Sequence, residues 1–181
     1  MKYRCGLIGL GRIGCGFDDV PNEKSINTHA GAYTKINDAE FVSLCDMDKD
    51  KLKKYGKKYN ITSLYSDIGE MLKKEQLDCI SICTLADSHL SIVREASKHK
   101  IKGIFLEKPI SLSLNDAKKI IDVCKKKNIT LQIDHQRRFS PFYKKIKKMI
   151  TDGKLGHLQS CSIYYGSGIA NTGSHIFDLI N

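Results

Sequence analysis

Two short motifs and one carboxylate in this chain have the residue types and spacing to do chemistry together. Gly9, Gly11 and Gly14, in the run Gly9-Leu10-Gly11-Arg12-Ile13-Gly14, stand at the intervals of a phosphate-binding turn. In such a turn the first glycine permits the tight bend, the second removes the Cβ that would hold a pyrophosphate off the backbone, and the third lets the next helix pack on the strand. Arg12 and Ile13 lie inside the turn, and the helix N-terminus beside them meets the phosphate charge. Asp46 closes the apolar run Phe41-Val42-Ser43-Leu44-Cys45, where its carboxylate can accept hydrogen bonds from the hydroxyls of an adenosine ribose. Glu107-Lys108-Pro109 directly follows Gly103-Ile104-Phe105-Leu106. Together these features point to a nicotinamide-dependent oxidoreductase. NAD is the expected cofactor, because the charge of Asp46, reinforced by Asp48, repels the 2′-phosphate of NADP; Lys49 is the nearby group that could still receive one.

Such residues need a scaffold, and apolar runs alternate with amphipathic ones along the chain. Tyr3 to Ile8 reads as a buried parallel strand, followed by the glycine turn. Cys15 to Thr28 reads as a loop inserted before a helix around Ala30 to Lys35, which lengthens the interval to Asp46. A lysine-rich helix to Lys58, a strand near Ser63 to Tyr65 and a helix from Asp67 to Lys73 come next. Then follow the strand Cys79 to Thr84, the helix Ser88 to Lys98, the strand Gly103 to Leu106, the helix Asn115 to Lys126 and the strand Thr130 to Asp134. Ser113 is placed to cap that last helix and Asn128 to stop it. The alternation predicts an α/β fold, a Rossmann-type doubly wound parallel sheet that binds ligands at the carboxyl ends of its strands. After about Asp134 the pattern changes to a basic amphipathic helix over Phe139 to Asp152, a turn at Gly153 and Gly156, and strand-like alternation over Leu158 to Tyr165. The expected division is a nucleotide-binding domain over residues 1–127 and the beginning of a second, α+β domain over 128–181.

Composition narrows the function classes. At 181 residues and 41% hydrophobic content the chain can bury a core without disulfides or metal. No apolar stretch reaches the roughly 18 to 20 residues of a membrane helix, and the N-terminus enters a strand with no signal-peptide pattern, so no membrane partner and a cytoplasmic location are expected. The net charge of +10 comes largely from lysines clustered on helical segments, without a nucleic-acid-binding signature, and nucleic acid is not an expected partner. A positive field does favour an anionic cofactor. The seven cysteines are scattered; Cys79 and Cys83, the close pair, are spaced for neither a disulfide nor a zinc site. All seven are expected as reduced core thiols, and no metal site is expected.

With Glu107-Lys108-Pro109 the chain resembles, over essentially its whole length, the Gfo/Idh/MocA family of sugar oxidoreductases, named for glucose-fructose oxidoreductase and inositol dehydrogenase. Thr84 with His89 five residues later is similar to the family's turn after the fourth strand, with Leu85 where a proline is usual. Asp134 to Phe139 resembles the stretch leaving its last Rossmann strand, Gly153 to Gly156 its entry to the second domain, and Gly173 to Ile180 its active-site helix. The resemblance implies a catalytic pair, Lys108 and His175, acting on a secondary hydroxyl of a sugar, cyclitol or nucleotide-linked sugar. Histidine suits the removal of the hydroxyl proton, and a lysine ammonium stabilises charge on the oxygen. It also implies that Thr84, His89, Glu107 and Lys108 join the turn and Asp46 around the cofactor, that Asn171 and Arg138 serve the substrate, and that the protein is a homo-oligomer.

Two departures from the family pattern bear on activity. Asn171 stands where many members have an aspartate four residues before the histidine, and an amide orients a hydroxyl but accepts no proton. Family chains exceed 300 residues, so the second domain is expected to be incomplete here. The alternative expectation is therefore a truncated, inactive nucleotide-binding remnant or interaction protein, with Leu158 to Tyr165 an unpaired strand edge that recruits other chains.

Overall fold

Parallel strands buried on both faces must be apolar on both, and consecutive residues of the first strand show this: Leu7 and Ile8 are each at most 1% exposed and belong to different cores. The computed structural model describes residues 2–20, 26–166 and 168–180. The chain alternates β1 (Tyr3–Ile8), α1 (His29–Tyr33), β2 (Ala39–Cys45), α2 (Lys49–Tyr59), β3 (Ser63–Tyr65), α3 (Ile68–Glu75), β4 (Cys79–Ile82), α4 (His89–Ala96), β5 (Gly103–Leu106), α5 (Leu114–Lys126) and β6 (Thr130–Ile133). Its six strands form one parallel sheet in the order β3-β2-β1-β4-β5-β6, the expected doubly wound fold. The order reverses direction between β1 and β4, which opens a crevice at their carboxyl ends.

One core packs Ile8, Ile80, Ile82, Val93, Leu106 and Ile120 on one face; the other packs Leu7, Leu10, Leu44, Leu52 and Tyr55 on the opposite face. Helix α2 turns Leu52, Tyr55 and Gly56 inward and its lysines outward, which accounts for much of the charge as a solvated face. Asp48, Asp67 and Ser113 cap α2, α3 and α5 by accepting backbone N–H bonds. Asn60, Gln76 and Asn128 end the same three helices in the left-handed conformation.

Two boundaries differ from expectation. The compact units divide between Ile133 and Asp134, so β6, paired to β5, stays with the sheet that the sequence ended at residue 127. The helix after the glycine turn is not simply delayed by a loop. Residues from Gly11 already make a helical turn, with Cys15 N–H on the Gly11 carbonyl at 3.0 Å. The chain then leaves through a 3-10 turn at Gly16–Asp19 and returns so that His29 and Ala30 donate to the carbonyls of Ile13 and Gly14, at 3.1 and 3.0 Å. Helix α1 thus resumes the helix begun at the turn. Asp18 accepts the Asn27 N–H and the Thr28 hydroxyl to close the detour, and Asp19 ties it to α2 through Lys54 at 2.7 Å, Lys58 at 2.8 Å and Tyr55 at 2.8 Å. Pro21 to Ser25, inside this detour, lie outside the described residues.

The second unit, taken by itself, has a 3-10 turn at Gln136–Phe139, α6 (Pro141–Thr151), a π-helical turn at Ile169–Gly173 and α7 (Ser174–Ile180). The expected strand over Leu158 to Tyr165 does not form: these residues are exposed and carry no regular structure. Alternating side chains satisfy the strand period, but a strand also needs a neighbour to receive its N–H and C=O groups. All seven cysteines are free thiols, with Cys161 exposed and Cys79 half-buried rather than in the core. Among the described residues no helix is long and apolar enough to cross a membrane.

Candidate cofactor site

Three glycines at the end of β1 occupy three different environments, and the difference locates a ligand. Gly9 has φ +89°, and a Cβ there would lie 2.8 Å from the backbone of Cys83. A Cβ on Gly14 would lie 2.2 Å from the Gly9 carbonyl oxygen. Both are therefore glycine because the protein packs against itself. Around Gly11 nothing lies within 4 Å of the Cβ position. Internal packing does not require that glycine, whereas close approach of a pyrophosphate does. The first-turn N–H groups beside it have no carbonyl a turn earlier to bond, and they present partial positive charge to an anion. The turn therefore fits a dinucleotide.

Asp46, half-buried at the end of β2, is fixed to this turn: its Oδ2 accepts the Leu10 N–H at 2.7 Å and its Oδ1 the Asp48 N–H at 2.9 Å. A carboxylate has about four acceptor positions, so both oxygens retain capacity for a ribose hydroxyl. Arg12 is exposed, and its guanidinium lies over the Phe17 ring at 4.7 Å. Thr84 is half-buried beyond β4, where its hydroxyl oxygen accepts from Ser88 at 2.7 Å. His89 is fully buried; its ring nitrogens face the carbonyls of Ile110 at 3.1 Å and Thr84 at 3.2 Å. The structure thus makes His89 a staple between the turns after β4 and β5 rather than a surface open to a cofactor.

Glu107, 7% exposed, begins the turn after β5, and the Lys108-Pro109 peptide is cis. Its Oε2 accepts the Lys108 N–H at 3.2 Å while its Oε1 meets His29 Nε2 at 3.1 Å. His29 was not singled out from sequence. Two signals bear on it: Thr28 caps α1 by accepting the Gly31 N–H at 3.0 Å, placing His29 in the first turn, and a glutamate ending an apolar strand needs a buried donor. The partner lies 78 residues away, beyond local pattern.

In the second unit His175 is 5% exposed, and its ring meets that of His135 edge-on at 5.4 Å. The Arg138 guanidinium, expected on a substrate, pairs with Asp178 through Nε at 2.9 Å, joining the 3-10 turn to α7. Burial pushes the Asp178 carboxyl up, but the Arg138 hydrogen bond and charge, with His135 and His175 nearby, carry it below the ordinary value. Asn171 is exposed in the π-helical turn, and its carbonyl accepts from Ser174 at 2.8 Å. Lys108 belongs to the first unit and His175 to the second.

A parallel sheet with a glycine turn at its switch point and a carboxylate fastened to that turn defines a dinucleotide-binding α/β protein. Residues 3–135 match the oxidoreductase family with an NAD-binding Rossmann fold, and the chain belongs to that family, the Gfo/Idh/MocA group to which its motifs point; NAD is accordingly its cofactor. It is 34% identical over 144 residues to D-apiose dehydrogenase of Paraburkholderia graminis, covering 80% of this chain and 36% of the relative. To myo-inositol 2-dehydrogenase of Thermotoga maritima it is 31% identical over 153 residues, covering 84% and 42%. The chain thus spans less than half the length of these relatives. Its fold is similar to scyllo-inositol dehydrogenase from Lactobacillus casei, solved with bound NAD(H) and scyllo-inositol, with TM-score 0.83 and 21% identity over 99% of this chain and 55% of that one.

Proposed function

We propose that the chain holds NAD(H) at this turn and is the cofactor-binding part of a dehydrogenase acting on a secondary hydroxyl of a sugar, cyclitol or nucleotide-linked sugar. The observation that carries the reading is the open space at Gly11 between two glycines fixed by packing. The apiose and inositol activities of the relatives support the polyol class. The backbone of the turn would hold the pyrophosphate and Asp46 the adenosine ribose. The nicotinamide, when bound, supplies the hydride acceptor. Lys108 stabilises negative charge on the reacting oxygen, and His175 takes the hydroxyl proton.

Calorimetric titration tests the first half: NAD(H) is expected to bind about tenfold or more tighter than NADP(H), since the Asp46 carboxylate that would take the ribose hydroxyls would repel a 2′-phosphate. Equal affinity, or a preference for NADP(H), overturns it. For the second half, Lys108→Ala and His175→Ala are each expected to lower turnover on a polyol panel by about a hundredfold. A second reading, nucleotide binding without turnover, is favoured by Asn171, whose amide accepts no proton. Tight NAD(H) binding with no turnover across the panel would select it.

A further inference from the structure

A chain of buried polar contacts in the first unit is not explained by hydride or proton transfer. Tyr33 OH lies 2.7 Å from Ser81 Oγ, Ser81 Oγ 3.1 Å from His29 Nδ1, and His29 Nε2 3.1 Å from Glu107 Oε1; Glu107 Oε2 accepts the Lys108 N–H. With a neutral imidazole, a single run of donors serves these bonds. Tyr33 donates to Ser81, Ser81 to Nδ1, and the Nε2–H of a neutral imidazole to the carboxylate, so each donor points toward Glu107. The His29 ring is held further by Phe105, with centroids 4.8 Å apart.

We propose that His29 is a positioning residue for Lys108, acting through Glu107 on the nicotinamide end of the cofactor site; this rests on the reading of Lys108 given above. The Glu107 N–H still bonds the Ile82 carbonyl at 2.9 Å, and Pro109 has no N–H and a fixed φ, so the Lys108 N–H is the last backbone donor before the turn that leaves β5. That donor is held by one Glu107 oxygen. The carboxylate is oriented in turn by His29 on its other oxygen, and a buried carboxylate deprived of that donor would turn toward whatever polar group or water it could reach. The backbone of His29 meanwhile bonds the Ile13 carbonyl of the phosphate turn. One residue is thus fastened by its main chain to the turn that takes the pyrophosphate and by its side chain to the loop that carries the lysine. The distance between the two ends of a dinucleotide is set across it.

The test compares NADH, followed by its nicotinamide emission, with ADP-ribose, followed by calorimetry, on the 181-residue chain. ADP-ribose keeps the adenosine and pyrophosphate and lacks the nicotinamide. His29→Leu is expected to weaken NADH about tenfold or more, the loss of a hydrogen bond to a charged group, and ADP-ribose by less than about twofold. His29→Gln, which keeps an N–H donor, is expected to recover most of the NADH affinity. If His29→Leu does not fold, Glu107→Gln carries the same comparison. Lys108→Met should reproduce the NADH-specific loss, and adding His29→Leu to it should cost little more. Equal losses for both ligands, or no recovery in His29→Gln, would overturn the positioning role in favour of simple structural support. Should Lys108→Met leave NADH binding unchanged, the reading of Lys108 itself fails; should Lys108→Met matter and His29→Leu not, this inference alone fails.

Discussion

Residues before and after Ile133 obey different rules of burial. Every buried apolar side chain among the described residues lies in the first unit; in the second, the buried side chains are the polar Asp134 and His175. Phe139, Phe142, Leu158, Tyr164 and Phe177 are each more than half exposed. The first unit is therefore held by hydrophobic burial on two faces of a sheet, which specifies its elements tightly. The second unit is joined by polar staples such as Arg138 with Asp178 and Ser174 with the Asn171 carbonyl, and exposed contacts of this kind contribute little each.

The largest effect that could break this contrast is in the core. Leu106→Ala, at a site with no exposure, is expected to cost about 3 kcal/mol in urea unfolding followed by circular dichroism, and Phe142→Ala, 64% exposed, under about 0.5 kcal/mol. Comparable costs would show that the second unit has a core after all. Next is the glycine turn, where Gly14→Ala should cost about 1–3 kcal/mol and abolish NAD binding, because its Cβ meets a carbonyl that cannot withdraw. Gly11→Ala should abolish binding with stability intact. If Gly11→Ala retains NAD, the open space is not where the pyrophosphate goes.

The smallest effect concerns Asp19. Burial pushes its carboxyl up, but hydrogen bonds from Lys54, Lys58 and Tyr55 outweigh that and leave it well below the usual carboxylate range. A depressed folded value means stability present above the unfolded pKa of about 3.9 and lost as pH falls toward the folded one. Wild type should exceed Asp19→Asn by roughly 1 kcal/mol at pH 6, and the gap should shrink steadily below about pH 4. A gap independent of pH would mean the carboxylate charge is not what anchors the detour.

Much of the sheet was legible because buried parallel strands are apolar runs and their turns carry recognisable residues: Gly9, Asp46 and Glu107 all sit at strand ends as their spacing predicts. Caps were equally local, as Ser113 and Asn128 show at the two ends of α5. Hidden features depended on distant partners. The periodicity of the first helix is cut by the detour, so its two halves do not look like one helix. Leu158 to Tyr165 alternates correctly, yet alternation does not say whether a second strand lies beside it, and these residues carry no regular structure. His29 meets Ser81 and Glu107, brought beside it by two other strands. The Asp178 partner of Arg138, 40 residues along the chain, was likewise beyond local pattern.

The resumed helix has a consequence for how this chain tolerates change. Its detour departs near Gly14 and re-enters at His29 with two main-chain bonds across the gap, so the ends of the insertion are neighbours whatever its length. Closing a longer loop there costs only about 0.6 kcal/mol per doubling, while the phosphate turn on one side and the histidine on the other keep their register. The junction is a splice point: with Asp18 and Asp19 kept as its anchors, sequence can be exchanged between Asp19 and Asn27, by evolution or by grafting a reporter, without moving either half of the helix it interrupts.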